Sequence, residues 1–439
     1  MNLISSSSLF SGLPVRDLLR QITFKSENSD IQIAMSLFFG TTKKTNAARK
    51  KSHLTHATDM DHQIRFALKD RVDRSITKLA SLCAKQLLEK SILELTFELS
   101  DQDYLSHIFF NQLKKGGLRI CSNPAFVKSE SLPELFSTNE NEILKTLRAT
   151  KKDLEFILTY SRERVYTGDY STAYSVLMEL EISERNDSVH QILGLCCNFF
   201  GKTAESESHF RRLHSSTNVL SKVKAAYLLS MLYLRLHPKE KQDLETAELF
   251  LSESHQLIES NVTMKDYHFH NVFNRNGYAL CLFRRGKIHE ALEMLQIGVE
   301  KLKQSDDGAK NLHQSVLIYN AVQCLKALKR YEECEKLCHN LLAIDALFPE
   351  YWLELSIVYL EQSKFELALA QLKQAENLDA FIPEIYALRG YAFLNQNQIE
   401  FAINNYKKAI SLAPENLTYQ SDLQYCLELQ SENTLENII

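Results

Sequence analysis

Pro349 and Pro383 stand 34 residues apart, and the segments they open follow one pattern. After Pro349, Trp352, Leu355, Ser356 and Tyr359 fall at relative positions 4, 7, 8 and 11, and Ala368, Leu372 and Ala375 at 20, 24 and 27. After Pro383, Tyr386, Gly390, Phe393, Ala402, Tyr406 and Ala409 take the matching places, with Pro414 at position 32. One period earlier, Ser315 begins a third copy with Ile318, Ala321, Val322, Leu325, Tyr331, Cys334, Cys338 and Leu341. A fixed period of this length marks a chain built from repeated units, each too small to bury its apolar side without a stacked neighbour.

This pattern resembles the tetratricopeptide-repeat family, whose unit is a pair of antiparallel helices, A and B. The resemblance implies a mainly α, superhelical solenoid in which bulky residues fill the groove between helices and Ala or Gly permits close backbone approach. Arg389 departs from it at position 7, where leucine is commoner, and is expected to face outward or line the groove.

The match weakens upstream. Phe273, Asn276, Gly277 and Leu280 fit an A helix and Gly286, Ala291 and Leu295 a B helix, but Gly277 to Gly286 is two residues too long. Ala226, Leu229, Ser230 and Tyr233 match another A helix, separated by an expanded turn from His237 to Lys241 from Ala247 and Leu251. His190, Leu193, Gly194, Cys197, Gly201, Ser206, Phe210 and Leu213 supply a further unit, and Gly168, Tyr170, Ala173 and Leu177 half of one before it. The expected layout is about seven helix pairs over residues 151–430, a capping helix over residues 415–430 that closes the solenoid, and a frayed tail at 431–439.

Only 12 glycines and 7 prolines occur in 439 residues, which disfavours a sheet-rich fold with many tight turns. The nine cysteines are scattered, odd in number and set in apolar runs, as in a reduced cytoplasmic protein. No basic segment leads into a long apolar core at the N-terminus, and no membrane span is expected. Charge is uneven: residues 1–60 carry eight Lys or Arg against four Asp or Glu, whereas residues 345–439 carry five against fourteen, net −9.

The first 150 residues lie outside the repeat. Residues 1–60 read as mostly flexible, with a Ser5–Ser8 run and a basic linker containing Lys43, Lys44, Arg49, Lys50 and Lys51. The linker lacks interleaved aromatics, so nucleic acid is disfavoured. Residues 61–150 form a small helical or α+β region: Ile64, Leu68, Val72, Ile76, Leu79, Cys83 and Leu87 recur at helical spacing. Leu93, Leu95, Phe97 and Leu99 then alternate as in a strand, a helix to about Lys115 follows, and Leu118 to Cys121 suits a second strand. A continuous helix is the rival reading, because Leu and Glu favour helices.

Residues able to carry chemistry are few. Cys334 and Cys338, beside His339, could present two thiolates to a metal, but both occupy repeat positions that belong to the core. His268 with His270, and Asp59 and Asp61 with His62, lack further partners at ligand spacing. Phosphate-loop, dinucleotide, serine-hydrolase and common zinc-protease motifs are missing, so no enzyme, cofactor or metal is expected.

The family's partner groove is lined by A-helix positions 2, 5, 6, 9, 12 and 13. Carried over, these give Asn271, Asn274, Arg275 and Tyr278 in one unit, Tyr319, Asn320, Gln323 and Lys326 in another, then Glu350 and Glu354, and finally Tyr391. Some members clamp the carboxylate tail of a chaperone with Lys, Asn and Arg at fixed positions. Only Asn320 matches here, and Glu350 and Glu354 stand where cations are required. The expected function is a non-enzymatic scaffold, adaptor or chaperone-like protein holding a basic or amphipathic peptide or helix, with self-association a further option. The alternatives are a bacterial secretion- or pilus-associated assembly factor, and a catalytic or nucleotide-binding N-terminal domain served by the repeats.

Overall fold

A computed structural model of the protein describes residues 15, 18, 19, 69–97, 104–122, 138–149, 152–303 and 310–436. The described residues fall into two compact units, one ending at Cys281 and the other beginning at Leu282. The Ser-rich run, the basic linker, Asp59, Asp61 and His62 and the expected boundary at residue 150 lie outside the described residues.

The first unit opens with α1 (Lys69–Glu89), β1 (Glu94–Phe97), α2 (Tyr104–Lys115) and β2 (Arg119–Ser122). The strands pair in parallel, Glu94 opposite Arg119 and Phe97 opposite Ser122. Parallel strands need a long crossover, which α2 provides. The alternating residues therefore form a strand, and the region is α+β. Ile76, Leu79, Cys83, Phe109, Phe110 and Leu113 make its core, into which Val15, Leu18 and Leu19 also pack. Phe199 connects this core to the helices that follow, meeting Tyr104 edge-on at 5.4 Å and stacking on Tyr170 at 4.1 Å.

After α3 (Thr138–Arg148), the unit continues as antiparallel pairs: α4 (Leu154–Thr167) with α5 (Tyr170–Met178), α6 (Asp187–Phe199) with α7 (Thr203–His214), and α8 (Val219–Met231) with α9 (Leu244–Glu259). Asp153, Asn186, Asn218 and Asp243 cap the starts of α4, α6, α8 and α9, each carboxylate or amide oxygen accepting a first-turn backbone N–H. The expanded turn lies where expected, from His237 onward, and the structure adds detail to both its sides. Helix α8 runs on as a π-helical turn over Leu232–Leu236, and the chain reverses from His237 to Asp243 around a 3₁₀ segment at Lys239–Lys241. Helix α10 (Tyr267–Arg284) follows, and the division between units falls within it.

The second unit contains α11 (Ile288–Lys303), then α12 (Lys310–Ala327) with α13 (Tyr331–Ile344), α14 (Pro349–Glu361) with α15 (Phe365–Leu378), and α16 (Pro383–Asn395) with α17 (Ile399–Leu412). Pro349 and Pro383 each occupy the first turn of their helix, where a missing N–H costs nothing. Helix α18 (Leu417–Glu436) packs on α17, burying Cys426 beside Tyr406. It extends through Glu436, so residues expected to fray at Ser431 to Glu436 are helical.

The period is legible in the backbone itself. Lys329, Ser363 and Asn397, spaced by 34, all adopt left-handed φ of 56–59° at the turn between paired helices. Each is followed by the same closure: Arg330 N donates to Leu325 O at 3.0 Å, Lys364 N to Tyr359 O at 2.9 Å, and Gln398 N to Phe393 O at 2.8 Å. Gly168, Gly201 and Gly286 hold equivalent places with positive φ, followed by Asp169 N to Arg164 O, Lys202 N to Cys197 O and Lys287 N to Leu282 O. This six-to-one bond satisfies the carbonyls left unpaired at a helix end and reverses the chain. At the other end of the unit, Asp345 and Asp379 accept N–H bonds from Leu347 and Phe381. Trp352 Nε1 and Tyr386 Oη, also 34 apart, donate to Ala346 O and Ala380 O.

Small residues sit where backbones crowd. A Cβ on Gly194 would lie 2.3 Å from the Phe210 ring, and one on Gly390 would lie 2.9 Å from Tyr406. Both glycines are at position 8 and both rings at position 24, so one packing rule holds in each unit. Cys334 and Cys338 are fully buried. Burial pushes the Cys334 thiol up to about 11 and raises Cys338 as well, which suits packing rather than nucleophilic chemistry.

Candidate functional site: the first-helix faces

In the second unit, Tyr319, Gln323 and Lys326 lie at i, i+4 and i+7 on α12 and so form one stripe. Glu354 reaches that stripe from α14. It accepts a hydrogen bond from Tyr319 Oη at 2.8 Å and from Lys326 Nζ at 2.5 Å. The Glu354 and Lys326 side chains are only 10 % and 19 % exposed. Water therefore screens them poorly, and their mutual attraction exceeds that of a surface pair. The expectation that Glu354 offers an acidic contact to a ligand is revised, because its charge is already met within the protein.

Gln323 differs from its neighbours on the stripe. Its amide nitrogen is buried and has no hydrogen-bond partner. The same position recurs as Ile357 in α14 and Tyr391 in α16, half-buried and 46 % exposed respectively. One row thus offers an amide donor, an aliphatic surface and an aromatic ring, a set that suits a polypeptide with apolar side chains and free carbonyls. Asn320 and Glu350 are half-buried on the same two helices.

The candidates in the first unit are used differently. Asn271 and Asn274 are buried; Asn271 Nδ2 donates to Glu259 at 2.6 Å and Asn274 Nδ2 to Leu251 O at 2.9 Å. Arg275 donates to Asn271 Oδ1 at 3.2 Å, and Tyr278 packs beside Leu251 and Cys281. These side chains tie α10 to α9. Sequence position alone does not separate them from the second-unit stripe, because the difference lies in what the preceding B helix presents.

Arg389, expected to face outward or line the groove, is mostly buried against α15. It donates to Glu376 at 3.0 Å and lies over the Tyr386 ring at 5.6 Å. Burial works against the Glu376 carboxylate, but hydrogen bonds from Arg389 and Lys373 hold it down at about 2. His268 and His270 belong to the first turns of α10; His268 is exposed and His270 is buried. Among the described residues, no group of three or more His, Cys, Asp or Glu side chains is placed to hold a metal. No helix among them is long and apolar enough to cross a membrane.

No protein-family model and no curated protein matches the chain. Solved structures similar to it in fold are tetratricopeptide-repeat and related helical proteins. A human IFIT1 dimer with PPP-AAAA is 13 % identical, with a TM-score of 0.47, covering 97 % of this chain and 92 % of that one. A tetratricopeptide-repeat protein from Parabacteroides merdae is 18 % identical, with a TM-score of 0.42, covering 62 % and 98 %. YrrB, described as a tetratricopeptide-repeat protein with an unusual peptide-binding site, is 14 % identical, with a TM-score of 0.33, covering 48 % and 96 %. The likeness is one of fold.

Proposed function

We propose that the protein is a non-enzymatic interaction scaffold whose second unit holds an amphipathic segment of a protein partner along the row Gln323, Ile357 and Tyr391. The observation that carries this reading is the unpaired, buried amide of Gln323 in line with the exposed Tyr391 ring, one period-related position apart at each step. Rotation of the half-buried Gln323 side chain brings this amide nitrogen out to a ligand carbonyl, and the bond removes the cost of leaving the donor unmade. The aromatic ring adds contact area with few rotatable bonds to immobilise.

Charge shapes the choice of segment. Glu354 is neutralised by Lys326, so the acidic character here rests on the wider net charge of −9 over residues 345–439, acting at longer range. That field assists approach of a partner with basic residues flanking its apolar ones. Contact itself depends on the amide, aliphatic and aromatic row.

The test uses the full chain as bait. Partner recovery falls at least tenfold for Gln323→Ala combined with Tyr391→Ala and is unchanged for Phe401→Ala, an exposed aromatic on the B helix α17. Equal recovery by the double variant and the wild type would remove this row from the mechanism.

A further inference from the structure

The polar contact that joins α12 to α14 is not repeated at the next step. Tyr319, Lys326 and Glu354 are followed, 34 residues on, by Leu353, Leu360 and Leu388. Where Tyr319 and Lys326 hold Glu354, the step from α14 to α16 therefore has three leucines. Leu353 and Leu360 are buried, and the half-buried Leu388 packs against the cluster that contains Leu353. We propose that this contrast fixes how a partner segment lies: its apolar side chains gather at one end, over Ile357, Leu388 and Tyr391, and its polar end crosses α12 at Gln323. Resting on the scaffold reading, this narrows the partner from any amphipathic segment to one whose apolar residues form a single block.

The bridge disfavours apolar side chains over α12. Lys326 and Glu354 keep only 19 % and 10 % of their side-chain surface in water. An apolar group laid on them strips that remaining hydration and returns no hydrogen bond, which discriminates against it. A carbonyl or hydroxyl meets no such penalty. The Lys326 ammonium has three N–H donors and gives one to Glu354, and the Gln323 amide beside it is unpaired. A polar stretch of chain is therefore the better match at this end.

The other end has the opposite character. Leu388 and Tyr391 lie at i and i+3 and so share a face of α16, with Tyr391 46 % exposed. Ile357 is half-buried on α14. The cation next in sequence, Arg389, is held by Glu376. An apolar side chain that enters here removes apolar surface from water on both partners and strands no charge. A helix with an apolar stripe along its whole length would lay part of that stripe on the bridge. A segment with separate polar and apolar blocks avoids this mismatch.

The experiment measures, by fluorescence anisotropy, the binding of two synthetic peptides of one composition to the full chain. In the first, Leu and Phe occupy one end and Ser, Gly and Asn the other; in the second, the same residues are interleaved. The wild type binds the first about tenfold more tightly. Lys326→Leu combined with Glu354→Leu gives this step the leucines native to the next, and the preference falls below about twofold as apolar side chains gain access to α12. Equal affinity of the wild type for both peptides, binding of neither, or an unchanged preference in the leucine variant would overturn the proposal. Gln323→Ala with Tyr391→Ala separates this from the scaffold reading. If that double variant weakens both peptides while the wild type does not distinguish them, the row stands and the direction falls. A check independent of variant folding uses the unmutated protein and the first peptide with a photoreactive leucine in its apolar end. Adducts form on α14 and α16 around Leu388, and adducts on α12 or outside the second unit contradict the proposal.

Discussion

Lys326 Nζ lies 2.5 Å from Glu354 Oε2, joining the first helix of one repeat to the first helix of the next, with Tyr319 donating to the other carboxylate oxygen. This bridge sets both the shape and the charge of the second unit's first-helix face. It keeps α12 and α14 in register by side chains distinct from those of the apolar core, and it removes one negative charge from the surface offered to a partner.

Replacing Glu354 by Gln leaves Lys326 without its counter-charge in a poorly hydrated place. The expected loss of stability is about 1–3 kcal/mol, with Tyr319 retaining a hydrogen bond to the amide. The double variant Glu354→Gln with Lys326→Met recovers part of it, since the buried charge is then gone. A urea-unfolding series of wild type, both single variants and the double variant measures the coupling. Additive losses would show that the pair contributes nothing.

Gly194→Ala places a methyl group 2.3 Å from the Phe210 ring, too close for the ring to stay in place. The helices α6 and α7 must separate, at a cost of about 1–3 kcal/mol. Gly390→Ala, where the nearest Tyr406 atom would be 2.9 Å away, costs less. Thermal unfolding checks the order, and a larger loss at Gly390 would contradict it.

Lys329 and Ser363 hold left-handed backbone angles that L side chains adopt at a cost. Lys329→Gly and Ser363→Gly should each stabilise the protein by roughly 0.5–1 kcal/mol, the relief of strain exceeding the added freedom of the unfolded chain. Chemical unfolding midpoints test this. A fall in midpoint at both positions would mean that the turn is not strained.

Stability should also fall as pH drops from about 6.5 towards 4. Burial holds His209 and His270 down at about 4 and lowers His190 and His237, so these rings stay neutral when folded. The unfolded chain binds their protons below their ordinary value, near 6.5, so it gains protons that the folded state lacks, and unfolding becomes easier as pH falls through this window. Glu376 acts lower down: its contribution is complete above the ordinary carboxylate value and is lost as pH falls towards about 2. Urea midpoints at pH 7.5 and 5.0 that coincide would contradict the histidine effect.

Much of the second unit was legible in the sequence because a 34-residue period forces each large or small residue into a repeated contact. Ile318, Cys334, Leu372 and Ala409 are buried where their positions required. The strand alternation around Leu95 was readable only against a rival, since its Leu and Glu residues also favour helix, and the parallel pairing with residues 119–122 decides between them. Other features left no such signal. Lys329 and Ser363 carry side chains that conceal the left-handed turn which Gly286 announces, and the π-turn at Leu232–Leu236 preserves the apolar spacing of an ordinary helix. The candidate site was legible as positions but not as states. Glu354 reads as an exposed acid until Lys326 and Tyr319 are seen to meet it, and Asn271 and Asn274 read as free amides until Glu259 and Leu251 engage them. His190 and His209 are 19 residues apart, and only the hairpin brings them together.

The most direct test of the scaffold reading is site-specific photocross-linking. A photoreactive residue is placed at Gln323, at Tyr391 and, as a control, at Phe401 in the full chain, and adducts are resolved by mass spectrometry. The first two positions should join to one and the same peptide segment of one partner, an amphipathic one, and Phe401 should not. Adducts that form at Phe401 while Gln323 and Tyr391 remain unreacted would contradict the account.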